Sequence, residues 1–216
     1  MPRLALFDMD RTLVRKNTAA LYVRYQREIG EATLVDGLRA GVWLLQYTLG
    51  IVDAEAVAVK AMRQVIGQHE TVLASRCDDW FRRDVAKHIG CDARRAVDRH
   101  LAAGDICAVV TGASVYSARP LARLLGIPHV IATELECDEA GRFTGRTIHL
   151  CYGKGKIARS EALAQQHNSS LDDAVFYSDS ISDLPLLERV GTPIVVNPDP
   201  RLGRVAKQRN WRVERW

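Results

Sequence analysis

Five short apolar runs, each followed by a helix-length pattern, constrain this chain more than any other feature. They are RLALFDM (3–9), DICAVVT (105–111), HVIAT (129–133), AVFYS (174–178) and PIVVN (193–197). None alternates strictly between apolar and polar residues, so each strand needs cover on both faces. That is the condition of a parallel sheet flanked by helices. Helical stretches around 115–125, 156–167, 181–190 and 201–209 supply the crossovers. The expected fold class is α/β, a doubly wound parallel sheet.

One connection breaks this rhythm. Between the first run and DICAVVT no strand-like segment occurs. Gly30, Gly50, Gly67, Gly90 and Gly104 each close a helix-length pattern, where a left-handed C-terminal cap is expected. Asp36, Asp53 and Asp92 stand where helix N-caps are expected. Leu21, Tyr25 and Ile29 recur every four residues and mark one apolar face. Residues 15–100 are therefore expected to form an inserted helical cap, and residues 1–14 with 101–216 the core. The stretch 133–153 reads as a β-hairpin turning at Asp138–Gly141.

With 216 residues, 47% of them hydrophobic, the chain can bury one sizeable core plus a smaller insertion. A net charge of +4 is too small to argue for a nucleic-acid partner, and none is expected. The six basic residues between Arg201 and Arg215 read as a solvated helix face and last strand. Five widely spaced cysteines without a CxxC pair suggest neither a disulfide framework nor a zinc site. Because the first apolar run already belongs to the fold, no signal peptide is expected, and the setting is a reducing cytoplasm. The segment AGVWLLQYTLGIV is too short and too polar to span a bilayer, so no membrane partner is expected.

Ligands of open parallel sheets sit beyond the carboxyl ends of the strands. The residues just after each run therefore carry the chemical information. The first run delivers Asp8, Asp10 and Thr12, and the second delivers Thr111, Gly112, Ala113 and Ser114. AVFYS delivers Asp179 and Asp183, and YGKGKIARSEAL places Lys156 at a helix start. Two carboxylates one residue apart repel unless something cationic lies near. Several carboxylates with only oxygen donors suit Mg²⁺. A hydroxyl and an approachable backbone N–H at 111–112 suit phosphate oxygens. A lysine balances charge that develops in the transition state. This mixture is what phosphoryl transfer requires.

At these residues, DMDRT, VVTGAS, KGK before a helix and SDSISD, the chain resembles the haloacid dehalogenase (HAD) superfamily. The inserted helical segment resembles that superfamily's phosphoserine phosphatase-like branch. The resemblance covers essentially the whole chain, with four motifs in order. It implies a HAD-type phosphatase, a phosphomonoesterase of small phosphorylated metabolites. Asp8 would be the nucleophile that forms an aspartyl-phosphate. Asp10 would protonate the leaving alcohol and later deprotonate water. Mg²⁺ would be held by the Asp8 side chain, the Asp10 carbonyl and the Asp179 side chain, with Asp183 in or just behind that shell. Thr111, the Gly112 backbone and Lys156 would hold the phosphate. Where phosphoserine phosphatases of that branch usually carry a glutamate nine residues after the nucleophile, this chain has Asn17. A neutral amide cannot pair with an ammonium as a carboxylate does. Phosphoserine and histidinol phosphate are the specific variants of the general reading.

Competing readings concern single residues and whole classes. Lys154 competes with Lys156 for the phosphate, and spacing to the helix favours Lys156. Ser180 reads as an N-cap, and Thr12 as fixing the turn after Asp8. Pro120 is expected to start or kink its helix. The six histidines show no metal-like spacing. Trp43, Tyr47, Trp80 and Phe81 read as core, with one of them able to face the pocket, and Arg15, Lys16 and Arg63 could meet an anionic group. A signalling receiver domain also gathers acids, a hydroxyl and a lysine, but its acids are adjacent and it lacks an insertion. A phosphotransferase, in which an alcohol replaces water, is the other alternative.

Overall fold

Successive residues of each central strand face opposite layers of the core. In the computed structural model, which describes residues 2–31 and 65–216, β1 (Leu4–Phe7) is buried at all four positions. Ala5 and Phe7 join one apolar cluster, whereas Leu4 and Leu6 join another on the far side. The same two-residue period divides β2 (Ile106–Ser114), where Cys107 and Val109 face one way and Ala108 and Val110 the other. It also divides β5 (Val175–Ser178) and β6 (Thr192–Val196). A strand covered on both faces has no use for polar alternation, which is why these runs read as continuously apolar. Each fully buried Leu or Phe contributes about 1.5–3 kcal/mol.

The helices follow from that division. On one face lie α1 (Thr18–Glu28), α3 (Cys91–Ala102) and α4 (Val115–Leu125), through Leu21, Ala96 and Leu121 among others. On the other lie α5 (Lys154–Gln166), α6 (Leu184–Leu187) and α7 (Pro200–Gln208), through Leu163, Leu187 and Leu202. The α2 helix (Glu70–Trp80) runs into a π-helical turn, Phe81–Val85, that buries Phe81 and Val85 in the first cluster. Trp80 is core as well, 1% exposed. With β3 (His129–Cys137), β4 (Phe143–His149) and β7 (Arg212–Glu214), the sheet order is β4-β3-β2-β1-β5-β6-β7. Every neighbouring pair is parallel except β3 with β4. The doubly wound α/β architecture is therefore present.

Several local expectations are corrected. Gly30, Gly67 and Gly104 have positive φ, as capping glycines do, but Gly90 has φ −69° and is the N-cap of α3. Asp92 consequently sits in the first turn of that helix, not at its cap. Ile29, beyond the last residue of α1, is 37% exposed, so the apolar face of that helix ends at Tyr25. Pro120 lies inside α4 and does not start it. The stretch around 181–190 holds only a 3₁₀ turn, Ile181–Asp183, and α6, because Pro185 occupies a first-turn position where a missing N–H costs nothing. The hairpin is real and turns at Asp138–Gly141, where Gly141 has φ 72°. Its first strand is the continuation of β3. Gly50, Asp36, Asp53, Trp43, Tyr47 and Arg63 lie outside the described residues.

Candidate active site

Because β1, β2, β5 and β6 are parallel, their carboxyl ends open on one edge of the sheet. β1 is followed directly by Asp8, which is 6% exposed and whose N–H donates to Tyr177 O on β5 at 2.9 Å. Two residues on, Asp10 Oδ1 accepts the Thr18 N–H at 2.5 Å. That N–H is among the first of α1, so the helix dipole favours the charged carboxylate there. Asn17 is the N-cap of the same helix, its Oδ1 accepting the Ala20 N–H at 3.1 Å.

β5 ends in Ser178, followed by Asp179 and then Asp183, all three buried. Ser178 Oγ donates to Asp183 Oδ2 at 2.7 Å. Ser180 caps the 3₁₀ turn by accepting the Ser182 N–H, as expected. From the other layer, Lys156 on the first turn of α5 reaches Asp8 Oδ1 at 2.9 Å and Asp183 Oδ1 at 2.7 Å. It is 3% exposed, whereas Lys154 faces outward. Glycine between the two lysines has a steric reason. A Cβ on Gly155 would lie 2.3 Å from the Leu150 carbonyl oxygen, so only glycine lets this helix start pack so close to the chain that leaves β4.

Thr111 and Gly112 occupy the far end of β2, where the pairing with β3 shifts register between Val110 and Ser114. Thr111 is 2% exposed, and its Oγ1 accepts the Ala113 N–H at 3.1 Å, which leaves the hydroxyl hydrogen available to another acceptor. Thr133 Oγ1 donates to Gly112 O at 2.8 Å and fixes that end of the strand. Thr12 behaves otherwise than its place in the turn suggests. Its buried hydroxyl has no hydrogen-bond partner among the described residues, and the turn closes through Val14 N–H donating to Met9 O at 2.9 Å.

Electrostatics follow from one ammonium serving several acids. Burial opposes the Lys156 charge, but Asp183 and Asp8 outweigh it and hold its pKa well above the ordinary lysine value. Burial pushes the Asp8 carboxyl up; Lys156 pulls it back, and Asp183 and Asp10 push it up further. Burial likewise raises Asp179, with Asp8 its strongest like-charged neighbour. Asp10 is raised by burial and pulled back by the Thr18 N–H. Asp179 has no ion-pair partner among the described residues. Its placement near Asp8 brings two carboxyl groups to one corner, the donor chemistry that suits a hard divalent cation. No three Asp, Glu, His or Cys side chains among the described residues are gathered into a closed cage. A site built from two carboxylates and a main-chain carbonyl does not need one.

Two contributors to this geometry carry no obvious signature in the sequence. Ser178 reads only as the last residue of a strand, yet it orients Asp183. Asp199, in the stretch NPDP, caps α7 through Oδ1 and accepts the Ile181 N–H through Oδ2 at 2.6 Å. Its own N–H donates to the Asp179 carbonyl at 2.8 Å. An aspartate before a proline is a helix-start signal that could have revealed the cap, though not the second contact.

Known proteins share both the sequence and the fold. The family model described as haloacid dehalogenase-like hydrolase matches residues 5–188. A histidinol-phosphatase of Neisseria meningitidis is 30% identical over 221 residues, covering 99% of this chain and 98% of its own. A phosphoserine phosphatase of Mycobacterium tuberculosis is 31% identical over 216 residues, covering 97% of this chain and 69% of its own. Among solved structures, a protein of unknown function from Bordetella pertussis superposes with a TM-score of 0.88 at 32% identity, over 99% of both chains. A phosphoserine phosphatase solved as a phospho-aspartyl intermediate analogue superposes with a TM-score of 0.72 at 18% identity, covering 99% of this chain and 92% of its own, a likeness of fold.

Proposed function

The chain belongs to the haloacid dehalogenase-like hydrolase family and is a phosphatase, and from that premise we propose that it hydrolyses monoesters of small phosphorylated metabolites through an aspartyl-phosphate on Asp8. The observation that carries this reading is the buried ammonium of Lys156 between Asp8 and Asp183, beside an Asp179 that has no ion pair among the described residues. Asp8 Oδ attacks phosphorus while the ester P–O bond breaks, and Asp10 delivers its proton to the departing alkoxide. Water then attacks the same phosphorus, Asp10 takes its proton, and the bond to Asp8 breaks to release inorganic phosphate. Lys156, the Thr111 hydroxyl and the Gly112 N–H receive the phosphoryl oxygens. Asp183, held by Ser178, keeps Lys156 in place.

Mg²⁺ is the cofactor of this proposal, held by Asp8 and Asp179 side chains and the Asp10 carbonyl, where it would neutralise charge on the phosphoryl group. The insertion expected at residues 15–100 is proposed to cover the site as a cap that shuts water away from the aspartyl-phosphate, apart from α3, which packs on the sheet. Five free thiols support action in a reducing cytoplasm. No helix among the described residues is long and apolar enough to cross a membrane.

The full-length similarity to a histidinol-phosphatase makes histidinol phosphate the first substrate to test. Asn17 does not separate the two esters, because both carry an ammonium and its amide oxygen is engaged in capping α1; the order rests on that similarity. A screen of phosphorylated metabolites, read by phosphate release with Mg²⁺, tests the proposal. It expects turnover of histidinol phosphate above that of phosphoserine. Release from no phosphate monoester in the panel would overturn the proposed activity.

A further inference from the structure

We infer that Asn197 is a positioning residue for Asp10, acting through the carbonyl of Arg11. The inference rests on the reading of Asp10 as the proton donor to the leaving group. Arg11 follows Asp10 directly and has φ 53°, a left-handed conformation that a long side chain adopts only when its surroundings impose it. Something must therefore hold this residue. Asn197, just past β6, is itself at φ 43°, and its Nδ2 donates to Arg11 O and to Trp216 O, both at 3.3 Å.

The orientation of the amide is settled by its other end. Trp216 N–H donates to Asn197 Oδ1 at 3.1 Å, so the oxygen faces a donor and the nitrogen faces two carbonyls. The Asn197 main chain is anchored too, its N–H donating to Glu214 O at 3.0 Å. The Trp216 ring packs on Tyr177, 5.2 Å between centroids, and the Tyr177 carbonyl accepts the Asp8 N–H. Two residues far from the nucleophile in sequence thus grip the Asp8–Arg11 segment from both ends. Asp10 lies between the grips, its own carboxylate on Thr18 N–H.

Asn197→Asp is the discriminating variant. Aspartate tolerates positive φ and still accepts from Trp216 N–H, but it cannot donate to the Arg11 carbonyl. The readout is kcat/KM for two esters with Mg²⁺ present: an alkyl phosphate, β-glycerophosphate, and p-nitrophenyl phosphate. An alkoxide needs a proton as it leaves and p-nitrophenolate does not. A displaced donor therefore slows the first and spares the second, whereas general loosening of the site slows both alike. General acid catalysis is worth ~10²–10⁴, so partial displacement is expected to lower kcat/KM for β-glycerophosphate about tenfold or more and kcat/KM for p-nitrophenyl phosphate by about twofold or less.

Asp10→Asn is run alongside and should show the same skew more strongly. If Asp10→Asn is skewed and Asn197→Asp is not, the positioning role is overturned while the acid assignment stands. If Asp10→Asn lowers both esters equally, the acid assignment is overturned and the positioning role with it. Should Asn197→Asp fail to fold, Asn197→Gly keeps the left-handed backbone, removes both amide contacts and is read by the same criterion.

Discussion

Lys156 Nζ and Asp183 Oδ1 meet at 2.7 Å where neither side chain is more than 3% exposed. The same ammonium is 2.9 Å from Asp8, so one cation serves two carboxylates from different strand ends. Desolvating three charged groups is tolerable only because each has a partner at hydrogen-bond distance. Removing the shared partner should therefore be costly. Lys156→Met is expected to lose about 3–5 kcal/mol of stability in the metal-free protein, the usual cost of breaking a buried pair. Phosphatase turnover should fall by at least about 10²-fold, because preorganised positive charge at the phosphoryl group is lost. Denaturant unfolding and phosphate release check the two outcomes, and an unchanged unfolding midpoint would contradict the pairing.

Asp8→Asn separates chemistry from architecture. The amide cannot attack phosphorus, so turnover of p-nitrophenyl phosphate should fall by at least about 10³-fold, the scale seen when nucleophiles are removed. The fold should not suffer. Burial already disfavours the Asp8 charge, Asp183 and Asp10 repel it, and Lys156 retains Asp183 as a partner. A melting temperature at or above that of the parent protein is expected, and near-normal turnover would refute the nucleophile assignment.

The carboxylates predict how metal and pH act together. Asp8 and Asp179 have folded-state pKa values above their ordinary 3.8, chiefly through burial. A raised value means the folded state binds the proton more tightly than the unfolded state. Their contribution is then fully favourable below the unfolded value and is lost as pH rises through the folded ones. Mg²⁺ requires the deprotonated carboxylates, so its binding releases protons and strengthens as pH rises. Added Mg²⁺ should raise the melting temperature more at about pH 8.5 than at about pH 5.5, and EDTA should abolish turnover until Mg²⁺ is restored. An equal shift at both pH values would argue that the cation does not sit on these groups.

How much of this was readable from the sequence depends on the range of the interaction. Asp8, Asp10, Asp179 and Asp183 are legible as positions because each ends or follows an apolar run, and parallel strands bring their ends to one edge. Lys156 is legible because a helix start fixes where its third residue points. Gly90 is misleading, since a glycine between two helices can end the first or start the second, and only φ distinguishes them. The role of Thr12 is also misjudged, because its hydroxyl finds no partner among the described residues and the turn is closed by main-chain bonds. The contacts of Ser178 and Asn197, and that of Asp199 with Ile181, are invisible for another reason. Each reaches a residue brought near by the fold, or one whose geometry no local pattern announces, as that of Ser178 with Asp183 does.

Asp199 illustrates that last point and gives a further prediction. Its Oδ1 caps α7 through the Arg201 and Leu202 N–H groups at 2.7 and 2.9 Å, while Oδ2 accepts from Ile181, inside the loop that joins Asp179 to Asp183. One carboxylate thus ties a helix start to the acidic loop. Asp199→Ala removes both contacts and should lower stability by about 1–2 kcal/mol, of which loss of the cap alone accounts for about 1. Asp199→Asn keeps an acceptor for only one of the two sides, because the amide nitrogen would face an N–H. If the oxygen stays on α7, the cap survives and the Ile181 contact is lost. Its expected signature is a small change in melting temperature with a several-fold higher Mg²⁺ concentration for half-maximal turnover, since the loop carrying Asp179 loses its side-chain anchor and keeps only the main-chain one. A metal titration of turnover, read beside a thermal melt, decides the matter. Loss of stability without any shift in the Mg²⁺ requirement would confine Asp199 to the helix.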